Sequence, residues 1–194
     1  LDHLGRGEVA GSLARAGERG KVHFGADDNA SGVAGLLEIA RHLARMEAAG
    51  GLKAERDILF AAWSGEELGL LGSTHFVERL LAGKGPDAAL SESVAAYLNM
   101  DMIGRLEDRL SLQGTGSSPD WPFEIERANA PVGLAIVTGR DAYLPTDTTP
   151  FYVKGVPVLN AFTGAHSEYS TPRDTADRIN AAGTARVAGL MAGI

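Results

Sequence analysis

The stretch GADDNASGVAGLLEIAR (25–41) joins an acidic turn to an amphipathic segment. From Ser31 onward apolar residues recur at helical spacing, which predicts a helix over residues 31–49. The pair Gly50-Gly51 is typical of a helix end. The two aspartates of the turn are therefore expected just before the N-terminus of a long helix.

Apolar runs and further helical patterns alternate along the rest of the chain. The predicted strands cover residues 57–63, 94–101, 109–113, 134–138 and 156–162, and the later predicted helices cover residues 71–83, 119–130 and 180–193. Strands that alternate with helices predict an α/β fold with a mostly parallel sheet covered on both faces. Nothing in the pattern marks a second domain, so residues 1–194 are expected to form one domain.

Composition narrows the classes of partner. The chain of 194 residues has a formal net charge of −7 and no basic run, which argues against nucleic acid or an anionic membrane as the main partner. It contains no cysteine, so disulfides, thiolate metal sites and cysteine nucleophiles are excluded. No apolar run reaches the roughly 18 residues that a membrane span needs.

Three acidic clusters are expected to meet at one edge of the sheet: Asp27-Asp28, Glu66-Glu67 and Asp101. The glutamates follow the run 57–63, and Asp101 ends the run 94–101. In open α/β sheets the carboxyl ends of the strands form the binding crevice. Because gathered carboxylates repel one another, a cation would stabilise them. The clusters together predict a metal site.

Each cluster also has a simpler interpretation. Asp27, Asp28, Asn29 or Ser31 could cap the following helix. Glu66-Glu67 could be an acidic first helical turn, which the helix dipole favours. Asp101 is harder to explain this way, because it ends a strand that is predicted to be buried, and buried carboxylates are rarely unpaired.

Four stretches together resemble peptidase family M28, zinc metallopeptidases that are mostly aminopeptidases. They are GADDNASGVAGLLEIAR, ILFAAWSGEELGLLGS, YLNMDMIGR and STPRDTADRIN. The resemblance implies a three-layer αβα sandwich of phosphorylase/hydrolase type with a mixed central sheet and two zinc ions. It also implies that the chain is an N-terminally truncated catalytic domain without its first strands, which would expose a sheet edge. Either the chain is part of a longer protein, or a homodimer covers that edge.

The resemblance also implies roles for individual residues. Asp28 would bridge two metal ions, Glu67 would ligate one of them and Asp101 the other. Glu66 would be the general base that takes a proton from a metal-activated water, so that N-terminal amino acids are removed from a peptide substrate. Tyr143 would donate a hydrogen bond to the developing oxyanion.

The chain departs from the family pattern where the family has histidine ligands. In the family's H-x-D motif, Leu1 and Asp2 match the last two positions. Asp2 would orient the missing histidine without binding the metal itself. His3 is expected to point in a different direction and not to replace that ligand. The segment Thr146-Asp147-Thr148 likewise differs from the family's S-D-H.

The second expected histidine is replaced by Ser170, a poor zinc ligand. His166 lies four residues earlier and is either a substitute ligand or a residue that stabilises its loop. We therefore expect zinc to bind weakly or with partial occupancy. Oxygen-only ligation shifts the preference toward Mg²⁺, Mn²⁺ or Ca²⁺.

Two alternatives to a metallo-aminopeptidase remain open from the sequence. One is a non-catalytic binding module on the same fold, which the loss of the histidines favours. The other is a single-zinc acyltransferase of the glutaminyl cyclase type, which the intact Glu66-Glu67 pair disfavours. The resemblance also favours a periplasmic or secreted location.

Overall fold

A computed structural model describes residues 3–85 and 88–194 of the chain. The helices are α1 (Gly32–Ala48), α2 (Leu71–Leu81), α3 (Trp121–Asn129), α4 (Thr149–Tyr152) and α5 (Ala181–Gly193). The strands are β1 (Tyr97–Met100), β2 (Leu110–Gln113), β3 (Ile136–Gly139) and β4 (Val158–Phe162). Each of these elements except the short α4 was predicted, with shifts of only a few residues at the ends.

The four strands form one mixed sheet in the order β1-β4-β2-β3. β1 pairs in parallel with β4, and β2 pairs in parallel with β3, whereas β2 and β4 are antiparallel. This arrangement confirms the predicted α/β fold with a mixed sheet. Since β1 and β4 run in the same direction, their carboxyl ends, at Met100 and Phe162, lie at the same edge.

Two hydrophobic cores lie on opposite faces of this sheet, which gives three layers. One core joins Leu112 and Leu159 to Val187 and Leu190 of α5. The other joins Val158 to Val77 of α2 and to Phe151 of α4. Neighbouring residues of β4 thus belong to different cores, as the alternation of side chains along a strand requires.

A chain of hydrogen bonds crosses the second face of the sheet. The Trp63 indole donates to the Tyr97 hydroxyl (2.9 Å), which donates to Asn99 (3.0 Å). Asn99 donates to Asn160 (2.9 Å), and Asn160 donates to Gln113 (3.0 Å). These polar side chains connect β1, β4 and β2 beneath the edge at which Asp101 lies.

The prediction of a buried strand over residues 57–63 is wrong. These residues pair with none of the four strands, and Ile58, Leu59 and Phe60 are 50%, 69% and 37% exposed. An apolar run becomes a buried strand only when a neighbouring strand takes its hydrogen bonds. Within the described residues no strand lies beside this run.

None of the helices in the described part of the chain has the length and apolar character that a membrane crossing requires.

Candidate metal centre

The loop before α1 gives its two aspartates different surroundings. Gly25 adopts a left-handed conformation (φ 59°), which turns the chain into the loop. The Asp27 side chain is fully buried, and its carboxylate accepts hydrogen bonds from the Ser31 hydroxyl (2.9 Å) and the Gly104 N–H (2.6 Å). Asp27 is therefore a structural carboxylate, whereas the carboxylate of Asp28 makes none of these bonds.

Asn29, rather than either aspartate, hydrogen-bonds the first residue of α1. Its side-chain oxygen accepts from the N–H of Gly32 (3.1 Å) and from the N–H of Met102 (3.2 Å), while its amide donates to the carbonyl of Met100 (2.9 Å). These bonds fix the start of α1 against the end of β1. The capping function of the acidic turn is thus met without Asp28.

Asp174 holds the backbone of the two aspartates. One of its carboxylate oxygens accepts from the N–H groups of Asp27 (2.8 Å) and Asp28 (3.1 Å). The other oxygen accepts from the Arg105 guanidinium (3.2 Å). Asp174 is fully buried, so these bonds are protected from water and fix where Asp28 projects.

Glu66 and Glu67 lie in a tight turn that precedes α2. The Glu66 carbonyl accepts from the N–H groups of Gly69 and Leu70 (both 3.0 Å), and Leu70 is left-handed (φ 60°). α2 begins only at Leu71. The two carboxylates are therefore not in a first helical turn, as the simpler interpretation required.

Asp101 follows β1 directly. Its N–H donates to the carbonyl of Ala161 (3.1 Å), which continues the pairing of β1 with β4, and Met102 is left-handed (φ 56°). The chain therefore turns away just after Asp101, at the predicted edge of the sheet.

His3 joins two of the predicted ligands, which the sequence analysis did not expect. Its Nδ1 lies 2.9 Å from Oε1 of Glu67 and 3.9 Å from Oδ2 of Asp28. One ligand atom from each residue lies within 4.8 Å of the others, as a shared ion requires. Gly25 leaves space for the ring at this position: a Cβ at Gly25 would lie 2.7 Å from His3 Cδ2.

The gathered carboxylates hold protons more tightly than ordinary acids do. The pKa is raised to about 6 for Asp28, about 7 for Asp101 and about 8 for Glu66. Burial is the largest cause in each case, and neighbouring carboxylates add to it, while the charge of His3 acts in the opposite direction on the pKa of Asp28. Burial also raises the pKa of Asp147. A bound cation would relieve this repulsion.

The donor set fits one zinc ion. Catalytic zinc takes three protein ligands, histidine and carboxylate among them, and leaves a fourth position open; this group offers one imidazole and two carboxylates. Among residues 3–85 and 88–194, no other group of three histidine or acidic side chains meets the same spacing. Asp101 lies outside this group, although the charge of Asp28 contributes to its raised pKa.

Ser170 and Thr148, which stand where the family pattern has histidines, offer no nitrogen ligand. Ser170 is buried and left-handed (φ 51°), and Thr148 is buried with its hydroxyl 2.8 Å from that of Thr146. Tyr143 is 68% exposed, and within the described residues its phenol makes no hydrogen bond to the carboxylates. Asp2 lies outside the described residues.

His166 contacts the structural carboxylate rather than the His3 group. Its Nε2 lies 3.1 Å from Oδ2 of Asp27, and its Nδ1 lies 3.5 Å from Glu168. His166 thus links its own loop to the loop before α1. This geometry matches the second of the two roles left open for it, stabilisation of the loop.

The predicted site residues did not include Asp174, Arg105 or Asp147. Each carries charge in a segment that was already quoted or discussed for the site, and that was the available signal. The sequence does not show which distant residues come into contact: Asp174 lies 147 positions from the Asp27 backbone N–H that it holds.

Comparison with known proteins shows the family to which the chain belongs. The family model described as "Peptidase family M28" matches residues 1–194. The chain belongs to peptidase family M28. It is 37% identical over 152 residues to the aminopeptidase NAALADL1 of Mus musculus, covering 77% of this chain and 19% of that protein. It is 33% identical over 141 residues to leupeptin-inactivating enzyme 1 of Streptomyces exfoliatus, covering 73% and 30%.

Solved structures give the same family relationship. BSAP, a zinc aminopeptidase from Bacillus subtilis, superposes on this M28 chain with a TM-score of 0.70 at 26% identity, covering 87% of this chain and 41% of that protein. Glutaminyl cyclase from Porphyromonas gingivalis superposes with a TM-score of 0.65 at 19% identity, which shows a shared fold. The M28 chain spans less than a third of the length of each of these two curated relatives.

Proposed function

We propose that this chain forms the catalytic core of a zinc-dependent aminopeptidase. The observation that carries the proposal is the placement of Glu66 beside a group that suits zinc, His3, Asp28 and Glu67. Relatives whose names describe them as aminopeptidases, one of them a zinc enzyme, support this choice of metal and reaction.

The chemistry then divides between the ion and the protein. A bound zinc ion supplies a lowered pKa for water and polarises the peptide carbonyl. Glu66 accepts a proton from water as the water oxygen forms a bond to the carbonyl carbon. Glu66 then donates that proton to the leaving nitrogen as the C–N bond breaks, which yields a free amino acid and a shortened peptide.

The acidic edge also suits the substrate's N-terminal ammonium group. Asp101 and Asp147 are partly buried carboxylates whose charges both act on Glu66. A cation nearby would favour their ionised forms. The same two carboxylates could also ligate a second ion. Because they offer only oxygen, we expect zinc to bind at this second position weakly or with partial occupancy.

The test is hydrolysis of an aminoacyl p-nitroanilide by the full chain, with and without added zinc. Glu66→Gln keeps the shape of the side chain but cannot accept the proton, so we expect the rate to fall by about 10²–10⁴-fold while zinc still binds. Glu67→Gln should lose zinc affinity as well as activity. If no metal gives turnover, the aminopeptidase proposal is refuted and a non-catalytic binding module is favoured.

Two further predictions from the sequence concern the molecule as a whole. A homodimer is supported by the exposed apolar side chains of residues 58–60. A periplasmic or secreted location rests on the family resemblance, and fractionation of the source cells would check it.

A further inference from the structure

The second face of the sheet carries a line of polar side chains beside a hydrophobic core. Tyr97 and Asn99 of β1, Asn160 of β4 and Gln113 of β2 are joined across this face by hydrogen bonds. Val158, on the same face, packs in the core with α2 and α4. Burying an amide such as that of Asn160 costs free energy that hydrogen bonds must offset. Packing alone therefore does not explain why this line is polar.

The direction of these hydrogen bonds is fixed at one end of the line. The Trp63 indole N–H can only donate, so the Tyr97 hydroxyl accepts it and donates its own hydrogen to Oδ1 of Asn99. The amide nitrogen of Asn99 then donates to Asn160, and that of Asn160 donates to Oε1 of Gln113. The line therefore ends at the Gln113 amide nitrogen, which has no acceptor among the described residues and remains available as a donor.

Gln113 lines an open groove of about 390 Å³ on the same face of the sheet. Ligand sites commonly have volumes of about 300–1,000 Å³. Arg109, Ser111 and Gln113 all line the groove, because alternate residues of a strand point to one face. Within residues 3–85 and 88–194, the Arg109 guanidinium and the Ser111 hydroxyl make no hydrogen bond or ion pair. Three side chains thus offer unused hydrogen-bond donors to one groove.

The charge of the groove is opposite to that of the chain as a whole. The formal net charge of the chain is −7, yet no acidic side chain is among the described residues that line the groove. Glu107 and Asp108 precede Arg109, but both are exposed and neither forms an ion pair with it. Val137 and Phe162 add apolar surface. An arginine that pairs readily with carboxylates, further donors and apolar walls together suit a carboxylate on a short aliphatic stem.

The groove adjoins the acidic edge of the sheet. Thr163, which lines it, donates its N–H (3.0 Å) and its hydroxyl (2.6 Å) to the carbonyl of Met102, the residue after Asp101. Arg109 lies at the same edge, because β2 runs antiparallel to β4 and begins where β4 ends. Under the proposed function the ammonium group of the peptide lies at this edge. The side chain of the first peptide residue is then next to the groove.

We propose that this groove holds the side chain of the first peptide residue and selects a carboxylate there, so that peptides beginning with glutamate or aspartate are preferred. Arg109 pairs with the carboxylate, and Ser111 and Gln113 donate hydrogen bonds to its oxygens. The hydrogen bonds from Trp63 to Gln113 keep the Gln113 amide nitrogen, rather than its oxygen, toward the groove. The inference rests on the proposed function for the reaction, whereas binding of an acidic amino acid in the groove does not require hydrolysis.

The first test compares hydrolysis of glutamyl and leucyl p-nitroanilides by the zinc-loaded chain. Loss of a hydrogen bond to a charged group lowers binding by about 10–100-fold. The value of kcat/KM for the glutamyl substrate should therefore fall by about that factor in Arg109→Gln, while the leucyl value stays unchanged. Gln113→Glu keeps an oxygen that accepts from Asn160 but turns a negative charge toward the groove, so it should also lower glutamyl hydrolysis and spare leucyl hydrolysis.

The matched control is an exposed arginine on the other side of the sheet. Arg45 lies on α1, which packs through Ile39 against the core of the first face. Arg45→Gln should change neither kcat/KM value, and urea unfolding checks that each variant is folded. A leucyl preference of the unmodified chain, or an equal loss for both substrates in Arg109→Gln, would overturn the proposal.

Calorimetry with free glutamate, glutamine and leucine gives a result that does not depend on hydrolysis. The three amino acids share their ammonium and α-carboxylate groups, so differences in affinity report the side chain. Glutamate should bind about 10–100-fold more tightly than leucine and lose this advantage in Arg109→Gln. Glutamine binding as tight as that of glutamate, or equal affinities for glutamate and leucine, would overturn the proposal. Tighter glutamate binding that depends on Arg109, without turnover of any substrate, would uphold it and refute the aminopeptidase function instead.

Discussion

At the scale of single residues, the site depends on a carboxylate that touches no proposed metal. Asp174 accepts hydrogen bonds from two consecutive backbone N–H groups, those of Asp27 and Asp28, and is itself paired with Arg105. Because these bonds hold the backbone, Asp28 keeps one direction without a hydrogen bond to its own carboxylate. Preorganisation of this kind is what a ligand needs in order to stay available for an ion.

Replacing Asp174 should therefore weaken both the fold and the metal centre. Asp174→Ala leaves two N–H groups without their partner and leaves the largely buried Arg105 guanidinium paired only with Glu168, which we expect to cost about 3 kcal/mol of unfolding free energy. Zinc affinity should fall by about 10–100-fold because Asp28 loses its support. Urea unfolding of the metal-free protein and a zinc titration measure the two effects separately.

The exposed Asp177 lies on the same segment and provides the control. Asp177→Ala should change neither zinc affinity nor unfolding by more than about 0.5 kcal/mol. If Asp174→Ala binds zinc as tightly as the unmodified chain, the positioning role of Asp174 is wrong.

The residues of the site divide into those that the sequence could predict and those that it could not. Asp101 follows an apolar run that is a strand of the sheet, so its position at the carboxyl edge could be predicted. Glu66 and Glu67 were expected at the same edge, but the run before them pairs with no strand among the described residues. The contact between His3 and Glu67 could not be predicted, because it depends on the space left by Gly25 and on a separation of 64 positions along the chain. Local pattern carries no information about such distances.

At the scale of elements, the sequence pattern and the structure disagree over the run of residues 57–63. Its apolar residues predict a buried strand, but burial depends on a neighbouring strand, and among the described residues none pairs with it. Only its end is packed: Trp63 contacts Phe76 and Phe151 at ring-centroid distances of 5.0 and 6.0 Å. The helices, by contrast, were predicted closely because their hydrogen bonds are internal to each segment.

A substitution in this run tests the homodimer. Leu59 is 69% exposed, so Leu59→Lys should change the unfolding free energy by less than about 0.5 kcal/mol. If two copies associate through the run, the added charge should weaken that association, since lysine on an unpaired strand opposes pairing. Sedimentation velocity over a range of protein concentrations measures the effect.

Leu13 is comparably exposed, at 61%, but lies elsewhere in the chain. Leu13→Lys should therefore leave any self-association unchanged. A monomer at all concentrations would refute the homodimer, and equal effects of the two lysine variants would refute the run 57–63 as its interface.

At the scale of the whole molecule, the acidic edge makes folding and metal binding depend on each other. Burial and mutual repulsion raise the pKa of Asp28, Asp101 and Glu66 to about 6, 7 and 8. In the unfolded chain these groups return to values near 4. Between about pH 4 and about pH 8 the folded metal-free protein binds more protons than the unfolded chain does. Its free energy of unfolding therefore falls as the pH rises through this range.

We therefore expect the metal-free protein to be more stable at pH 5.5 than at pH 8.5. One pKa unit corresponds to about 1.4 kcal/mol, so the loss should amount to a few kcal/mol, measured by urea unfolding at each pH. Saturating zinc should remove the trend or reverse it, because the ion favours the ionised carboxylates and protons compete with it at low pH. Asp101→Asn should make the metal-free trend shallower, whereas Asn at the exposed Asp108 should not. Equal stability of the metal-free protein at the two pH values would show that the pKa values of these carboxylates are not raised, and the electrostatic argument for a cation at this edge would then fail.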